Sequence, residues 1–241
     1  MGEAALWGLV GGFSLLIGAL LGLVLPDRPK VTGLALAFGA GALISALTFE
    51  LTEEAYRLGG ADAVTIGLAA GALTYFTGDH LVEMSGGGGR MGMMGEQAAI
   101  PATALLLGAV LDGIPESAVI GISLLEEPTV SVPVLAAVFL SNLPEAFSSA
   151  TGMKPKHGAR YVVGVWAAVV LLCAASSALG YGLLDGASGN AVGLIQAFAA
   201  GAVLTMLVDT MIPEALKHGG KAAGLVTVLG FALAYLLSTV G

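Results

Sequence analysis

The sequence predicts an all-α integral membrane protein with eight transmembrane helices, and three observations predict it. Of the 241 residues, 56% are apolar and only 11% are charged, whereas an ordinary soluble domain is about a quarter charged. Runs of the roughly 20 apolar residues that cross a hydrocarbon core recur eight times. These runs do not alternate with period two, as the strands of a membrane β-barrel do. The composition therefore excludes a soluble globular domain, a disordered chain and a nucleic-acid binder.

In chain order the expected spans are 5–25, 31–51, 63–83, 98–125, 132–151, 161–184, 191–213 and 222–240. The first ends at the turn formers and charges of Leu25-Pro26-Asp27-Arg28-Pro29-Lys30. Charged Glu53, Glu54 and Arg57 separate the second from the third, and Ser85-Gly86-Gly87-Gly88-Gly89-Arg90 follows the third. Glu126 and Glu127 close the fourth, Lys154 to Arg160 the fifth, Asp185 the sixth and Lys217 to Lys221 the seventh. The many glycines within spans fit close helix packing of the small-xxx-small kind. Glu3 precedes the first run, no basic residue does, and no small-residue cleavage site ends it. That span is expected to stay in the protein. The lone Cys173 lies in an apolar run and reads as a small buried hydrophobe, which excludes a disulfide framework.

Orientation follows from the basic residues. Odd-numbered loops hold Arg28, Lys30, Arg90, Lys154, Lys156, Arg160, Lys217 and Lys221, and the even ones hold only Arg57. The odd loops are expected in the cytoplasm of a cell (plasma or inner) membrane protein, with both termini outside. The acids Glu3, Glu53, Glu54, Asp62, Glu126, Glu127 and Asp185 then face outward. They make either a solvated rim or a field that concentrates cations.

Residues 37–60 and 197–220 match at about 10 of 24 positions without a gap, including Glu54-Ala55 with Glu214-Ala215 and a terminal Gly-Gly in each. Apolar bias does not account for the shared acid and glycines. The match resumes at Ala72-Leu73 and Tyr75 against Ala232-Leu233 and Tyr235. The two segments are spans 2 and 7, an odd separation, so they run in opposite directions across the membrane. Such inverted repeats are frequent in secondary transporters. The chain then divides as one transmembrane domain over 1–241, with repeat 1 at about 1–83, a central helix pair at about 98–151 and repeat 2 at about 161–241.

The central pair carries the polar residues. Span 4 holds Asp112-Gly113-Ile114-Pro115-Glu116-Ser117 and span 5 holds Ser141-Asn142-Leu143-Pro144-Glu145-Ala146. An acid at mid-bilayer costs roughly 2.5–3.5 kcal/mol on insertion scales. Asp112 and Glu116 share a helix face at i, i+4, as do Ser141 and Glu145. Each Pro removes an N–H and frees a carbonyl one turn before its Glu, which predicts a kink there. Neither span has Lys, Arg or His in its core. Divalent cations, protons or both must balance the carboxylates; protonated carboxyls hydrogen-bonded between helices are the bland alternative. Glu50 and Asp209, one register step apart in the repeat, are candidates for an accessory role. Glu214 reads as a solvated helix end, and His80, His157 and His218 as surface residues.

These paired Pro-Glu motifs, with this span count and repeat, resemble the ZIP (Zrt/Irt-like) family of divalent metal transporters. The family's span 4 reads His-Asn-x-Pro-Glu-Gly, and its span 5 is similar. The resemblance covers essentially the whole chain, as a divergent prokaryotic-type member. It implies eight spans in a 3+2+3 arrangement, alternating access, and a metal site of Asp112, Glu116, Ser141, Asn142 and Glu145. It departs at both family histidines, here Asp112 and Ser141, and at the family Asn, here Gly113. Oxygen ligands suit manganese and ferrous iron better than imidazole sites do, while the family substrates are zinc, iron and manganese. The divalent ion would be substrate, with no prosthetic group. Other solutes or protons on the same scaffold, and a transport-inactive sensor, are alternatives. An enzyme is not expected, because no H-E-x-x-H or G-x-S-x-G motif occurs. Partners are divalent cations and membrane lipid, with no nucleic acid; a homodimer is an open arrangement.

Overall fold

A computed structural model describes residues 1–26, 28–87, 102–125 and 129–240. Among these residues every regular element is helical. The helices are α1 (Gly2–Val24), α2 (Pro29–Ala46), α3 (Glu53–Val82), α4 (Ala102–Ser123), α5 (Val132–Leu184), α6 (Gly189–Met206), α7 (Ile212–Gly219) and α8 (Ala222–Val240). Six helical runs are long and apolar enough to cross a membrane: Gly2–Val24, Pro29–Val82, Val132–Pro155, His157–Leu184, Gly189–Gly219 and Ala222–Thr239. Their outward faces are apolar, with Phe13, Leu183, Leu225, Val228 and Leu236 exposed. This is compatible with a multi-pass membrane protein, whose outer surface meets lipid. Arg90, Glu126, Glu127, the Gly- and Met-rich stretch 88–101 and the first residues of the expected fourth span lie outside the described residues.

Several expected loops are instead helix. Residues 52–62 continue the helical run as far as Gly60, and residues 152–160 lie inside the 53-residue α5, interrupted at Gly158. The expected seventh span runs on to Gly219 through α7. A helix satisfies its own backbone N–H and C=O groups, so a helix that leaves an apolar run can continue into the charged stretch beyond it. The α1–α2 turn leaves the helical conformation at Leu25 and Arg28 with negative φ, whereas the long helical runs leave it at glycines of positive φ. Gly60 (φ 69°, ψ −171°), Gly158 (φ 74°, ψ 161°) and Gly220 (φ 62°, ψ −151°) do so.

Two π-helical turns, Leu47–Thr52 and Leu207–Met211, join α2 to α3 and α6 to α7. The boundaries recur at a constant sequence offset: α2 begins at Pro29 and α6 at Gly189, the π turns begin at Leu47 and Leu207, and the breaks fall at Gly60 and Gly220. Packing is reciprocal as well, with α2 against α8 and α3 against α6. Glycine makes these approaches close. A Cβ at Gly41 would collide with the Thr227 carbonyl on α8, and one at Gly71 with the Phe198 carbonyl on α6. On the other side α1 lies along both halves of α5. Gly18 and Gly22 meet Leu143 and Phe147, while Gly8 and Gly12 meet Ser177 and Cys173. Lys154 Nζ donates to the Leu23 carbonyl at 2.7 Å, so its charge caps the C-terminal end of α1.

The breaks test the backbone argument. A Cβ at Gly158 or Gly220 meets nothing within 4 Å, so the requirement there is conformational rather than steric. Gly158→Ala and Gly220→Ala should each destabilise the fold by about 1–3 kcal/mol, the cost of a glycine-only conformation. The check is the midpoint of thermal unfolding in detergent. An unchanged midpoint in both variants would refute the assigned hinge conformations.

Candidate functional site

Helices α4 and α5 bury an unusual polar set. Asp112, Glu116 and Ser117 on α4, and Ser141, Asn142 and Glu145 on α5, are each no more than 5% exposed. Buried polar and charged side chains among the described residues include no Lys, Arg or His. Helical spacing places Asp112 and Glu116 on one face, as it does Ser141 and Glu145. Both helices continue through Pro115 and Pro144.

Glu116 is the centre of the group. Asp112 and Ser141 lie beside it. Both of its carboxylate oxygens are buried with no hydrogen-bond partner among the described residues. The neighbouring Ser141 hydroxyl donates to the Val138 carbonyl at 3.0 Å within its own helix and is close enough to turn to Glu116 instead. Asp112 is held differently: Tyr75 on α3 donates its hydroxyl to Asp112 Oδ1 at 2.5 Å. Glu145 reaches the same neighbourhood from α5, since Cys173 stands within electrostatic range of both Glu116 and Glu145 and beside Ser117. Among the described residues, however, no three His, Cys, Asp or Glu side chains form a group that could hold a metal ion. Oxygen donors from Ser141 and Asn142 would have to complete such a site.

Glu50 and Asp209 occupy the π-helical turns Leu47–Thr52 and Leu207–Met211, and a third such turn covers Glu83–Gly87; π turns often occur at functional positions. The surroundings of the two acids differ. Half-buried Glu50 accepts hydrogen bonds from Ser131 Oγ at 2.8 Å and from Ser238 Oγ. Asp209 is exposed and does not line the cavity at Glu116. Glu214 and His218 depart from expectation. Glu214 is 8% exposed and lies 2.9 Å from His218 Nε2, itself largely covered. The cause is Gly33 on α2, which packs against His218 and Gly219 and covers the end of α7. His80 is exposed and stacks on Phe76; half-buried His157 stacks on Tyr161.

Three site features were beyond sequence reasoning: Tyr75 as the partner of Asp112, Cys173 beside the glutamates, and the two serines on Glu50. The first left a trace, since Tyr75 pairs with Tyr235 in the internal repeat. Position 113 carries a further result. A side chain there would head for Cys173 Sγ and Val169 rather than toward Ser141.

One small cavity touches Glu116, and a larger one lies along α2 and α5. The small one, of about 10 Å³, reaches Glu116 among Leu51, Val119, Val134 and Val138. The larger one, of about 390 Å³, is lined by Arg28, Thr32, Leu143, Pro144 and Phe147, and does not include Glu145. No family model matches this chain, and no curated protein matches it in sequence.

The Tyr75–Asp112 bond gives a direct test. Tyr75→Phe removes the donor while keeping the ring, so reversible unfolding in mixed micelles should register a loss of about 0.5–2 kcal/mol. No loss would mean that Asp112 is held by other groups.

Proposed function

We propose that this chain transports divalent metal cations of the zinc, iron or manganese class across a cell (plasma or inner) membrane, by alternating access around Glu116. The observation that carries the reading is the Glu116 carboxylate, whose two oxygens are buried and unbonded among the described residues, beside a second acid at Asp112. A bare carboxylate in an apolar interior is costly unless something positive joins it. Asp112, Glu116, Ser141, Asn142 and Glu145 offer oxygen donors only, a set suited to manganese or ferrous iron more than to zinc. Membership of the ZIP family is part of this proposal and rests on the two Pro-Glu motifs.

The proposal includes eight spans in a 3+2+3 arrangement, with both termini outside. Two observations support the count. The 54-residue run Pro29–Val82 contains the Gly60 break, and the 22-residue α4 has the length of a span. The constant offset of α2, π turn and glycine break with α6, π turn and glycine break supports an inverted repeat, as does their reciprocal packing. Alternating access around Glu116 is part of the proposal: apolar Leu51, Val119 and Val134 line the small space at Glu116, and a route would require that space to open.

A proton carrier on the same scaffold is the second reading. It is favoured by the lack, among the described residues, of three metal-binding side chains in one group. Uptake into proteoliposomes separates the two. Under the metal reading, manganese or ferrous iron accumulates in the lumen, and both Glu116→Gln and Glu145→Gln reduce uptake at least tenfold while eluting as folded protein. Lumenal acidification without metal uptake would favour the proton carrier. Normal metal uptake in both variants would remove this pair from the transport site.

Selectivity supplies a further test. Neutral imidazole is a good donor to zinc. Asp112→His with Ser141→His should therefore raise the zinc-to-manganese affinity ratio, by about tenfold if one improved ligand contributes about 1.4 kcal/mol. The titration is run at fixed pH, because histidine must be neutral to bind. A ratio that stays level or falls would exclude these two positions as ligands.

A further inference from the structure

We propose that Glu50, with Ser131 and Ser238, forms a second, outer cation-binding station that feeds Glu116 and latches the route between them. The inference rests on the transport reading above and names a part of the route that reading leaves open. It starts from a chain of spaces. A cavity of about 550 Å³ is lined by Phe49, Glu53, Glu54, Arg57, Tyr235 and Ser238. Ser238 also hydrogen-bonds Glu50, which lines the next cavity, of about 60 Å³, with Ser131 and buried Gln196. That cavity shares Leu51, Val119 and Val134 with the small space that touches Glu116. The apolar side chains of Leu51, Val119 and Val134 thus border both spaces and form a collar between Glu50 and Glu116.

The chemistry at Glu50 fits a hard divalent cation held briefly. The carboxylate supplies charge, and both serine hydroxyls supply neutral oxygens. Without an ion, the hydroxyls turn their hydrogens to Glu50 and satisfy it. When an ion arrives they rotate, and their lone pairs replace part of its hydration shell. No bond is made or broken other than hydrogen bonds and ion contacts. The wide outer cavity presents Glu53 and Glu54, with Arg57 bonded to Glu54 through Nε at 2.6 Å and Nη2 at 2.5 Å. Its field attracts cations while the ion pair limits how tightly they stay.

The same hydrogen bonds make the latch. Glu50 sits in a π-helical turn, Ser131 caps the N-terminus of α5, and Ser238 lies in the last turns of α8, so one carboxylate ties three elements. Ser131 Oγ also accepts from the N–H of Val134 at 3.4 Å. Val134 is a collar residue. A cation that draws Ser131 Oγ toward itself weakens that cap and loosens the collar, coupling occupancy of the outer station to passage inward.

The test uses the full chain and Mn²⁺ as probe. In detergent, Mn²⁺ binding is measured by electron paramagnetic resonance for the parent, Glu116→Gln, Glu50→Gln and the double variant. Glu116→Gln should retain one weak binding event, and adding Glu50→Gln should weaken it at least tenfold. Glu50→Asp, which keeps the charge, should restore part of it and guards against misfolding of the Gln variant. In proteoliposomes Glu50→Gln should raise the half-saturating Mn²⁺ concentration at least tenfold. The inference is overturned if Glu116→Gln and the double variant bind Mn²⁺ alike, or if half-saturation does not move. A parent that takes up no divalent cation would instead end the transport reading, and the detergent comparison would still decide whether Glu50 binds.

Discussion

In hydrocarbon a backbone hydrogen bond cannot be exchanged for one to water, and this constraint shapes the rest of the molecule. It keeps the apolar runs helical, and a helix, which satisfies its own backbone groups, can continue into charged stretches as far as the breaks at Gly60, Gly158 and Gly220. It also governs the side chains. Hydroxyls within the helices bond back to their own carbonyls, as Ser14 does to Gly11, Thr74 to Ala70 and Thr205 to Gly201. Glu116, a carboxylate, has no such local partner for either oxygen.

Glycine and alanine then decide where polar groups can hide. Between helices in lipid there is little hydrophobic drive, so association depends on close van der Waals contact. Gly18 and Gly22 let α1 lie on α5 beside Pro144 and Glu145, and Gly8 and Gly12 let it lie on the segment carrying Cys173 and Ser177. Tyr75 comes from α3 to the face of α4 that holds Asp112, and both Asp112 and Glu116 are buried. An acid in a loosely packed position, such as Asp209, remains exposed even in a π-helical turn equivalent to that of Glu50.

The π-helical turns that carry Glu50 and Asp209 show how near-symmetry yields different tasks. They occupy corresponding places after α2 and α6, yet one acid meets two serines and a cavity while the other meets the surface. The one-residue difference in register between Glu50 and Asp209 suffices, because a single step turns a side chain by about 100° around a helix. Tyr75 and Tyr235 diverge in the same way: the first bonds Asp112, and the second packs against Phe49.

The sequence by itself determined the all-helical class, the apolar runs, the repeat and the acid-bearing helix faces. Each of these is a periodicity or composition imposed by a solvent of known thickness. It also put Asp112 with Glu116, and Ser141 with Glu145, through the period of the helix. Tertiary structure alone decided what local patterns cannot encode. Residues far apart in the chain meet: Tyr75 reaches Asp112, Ser131 and Ser238 reach Glu50, and Cys173 comes beside the glutamates. It also decided that Glu214 and His218 are covered, because Gly33 comes from another helix to close over them. Spacing along one helix fixes which residues share a face; only the packing of several helices fixes what that face meets.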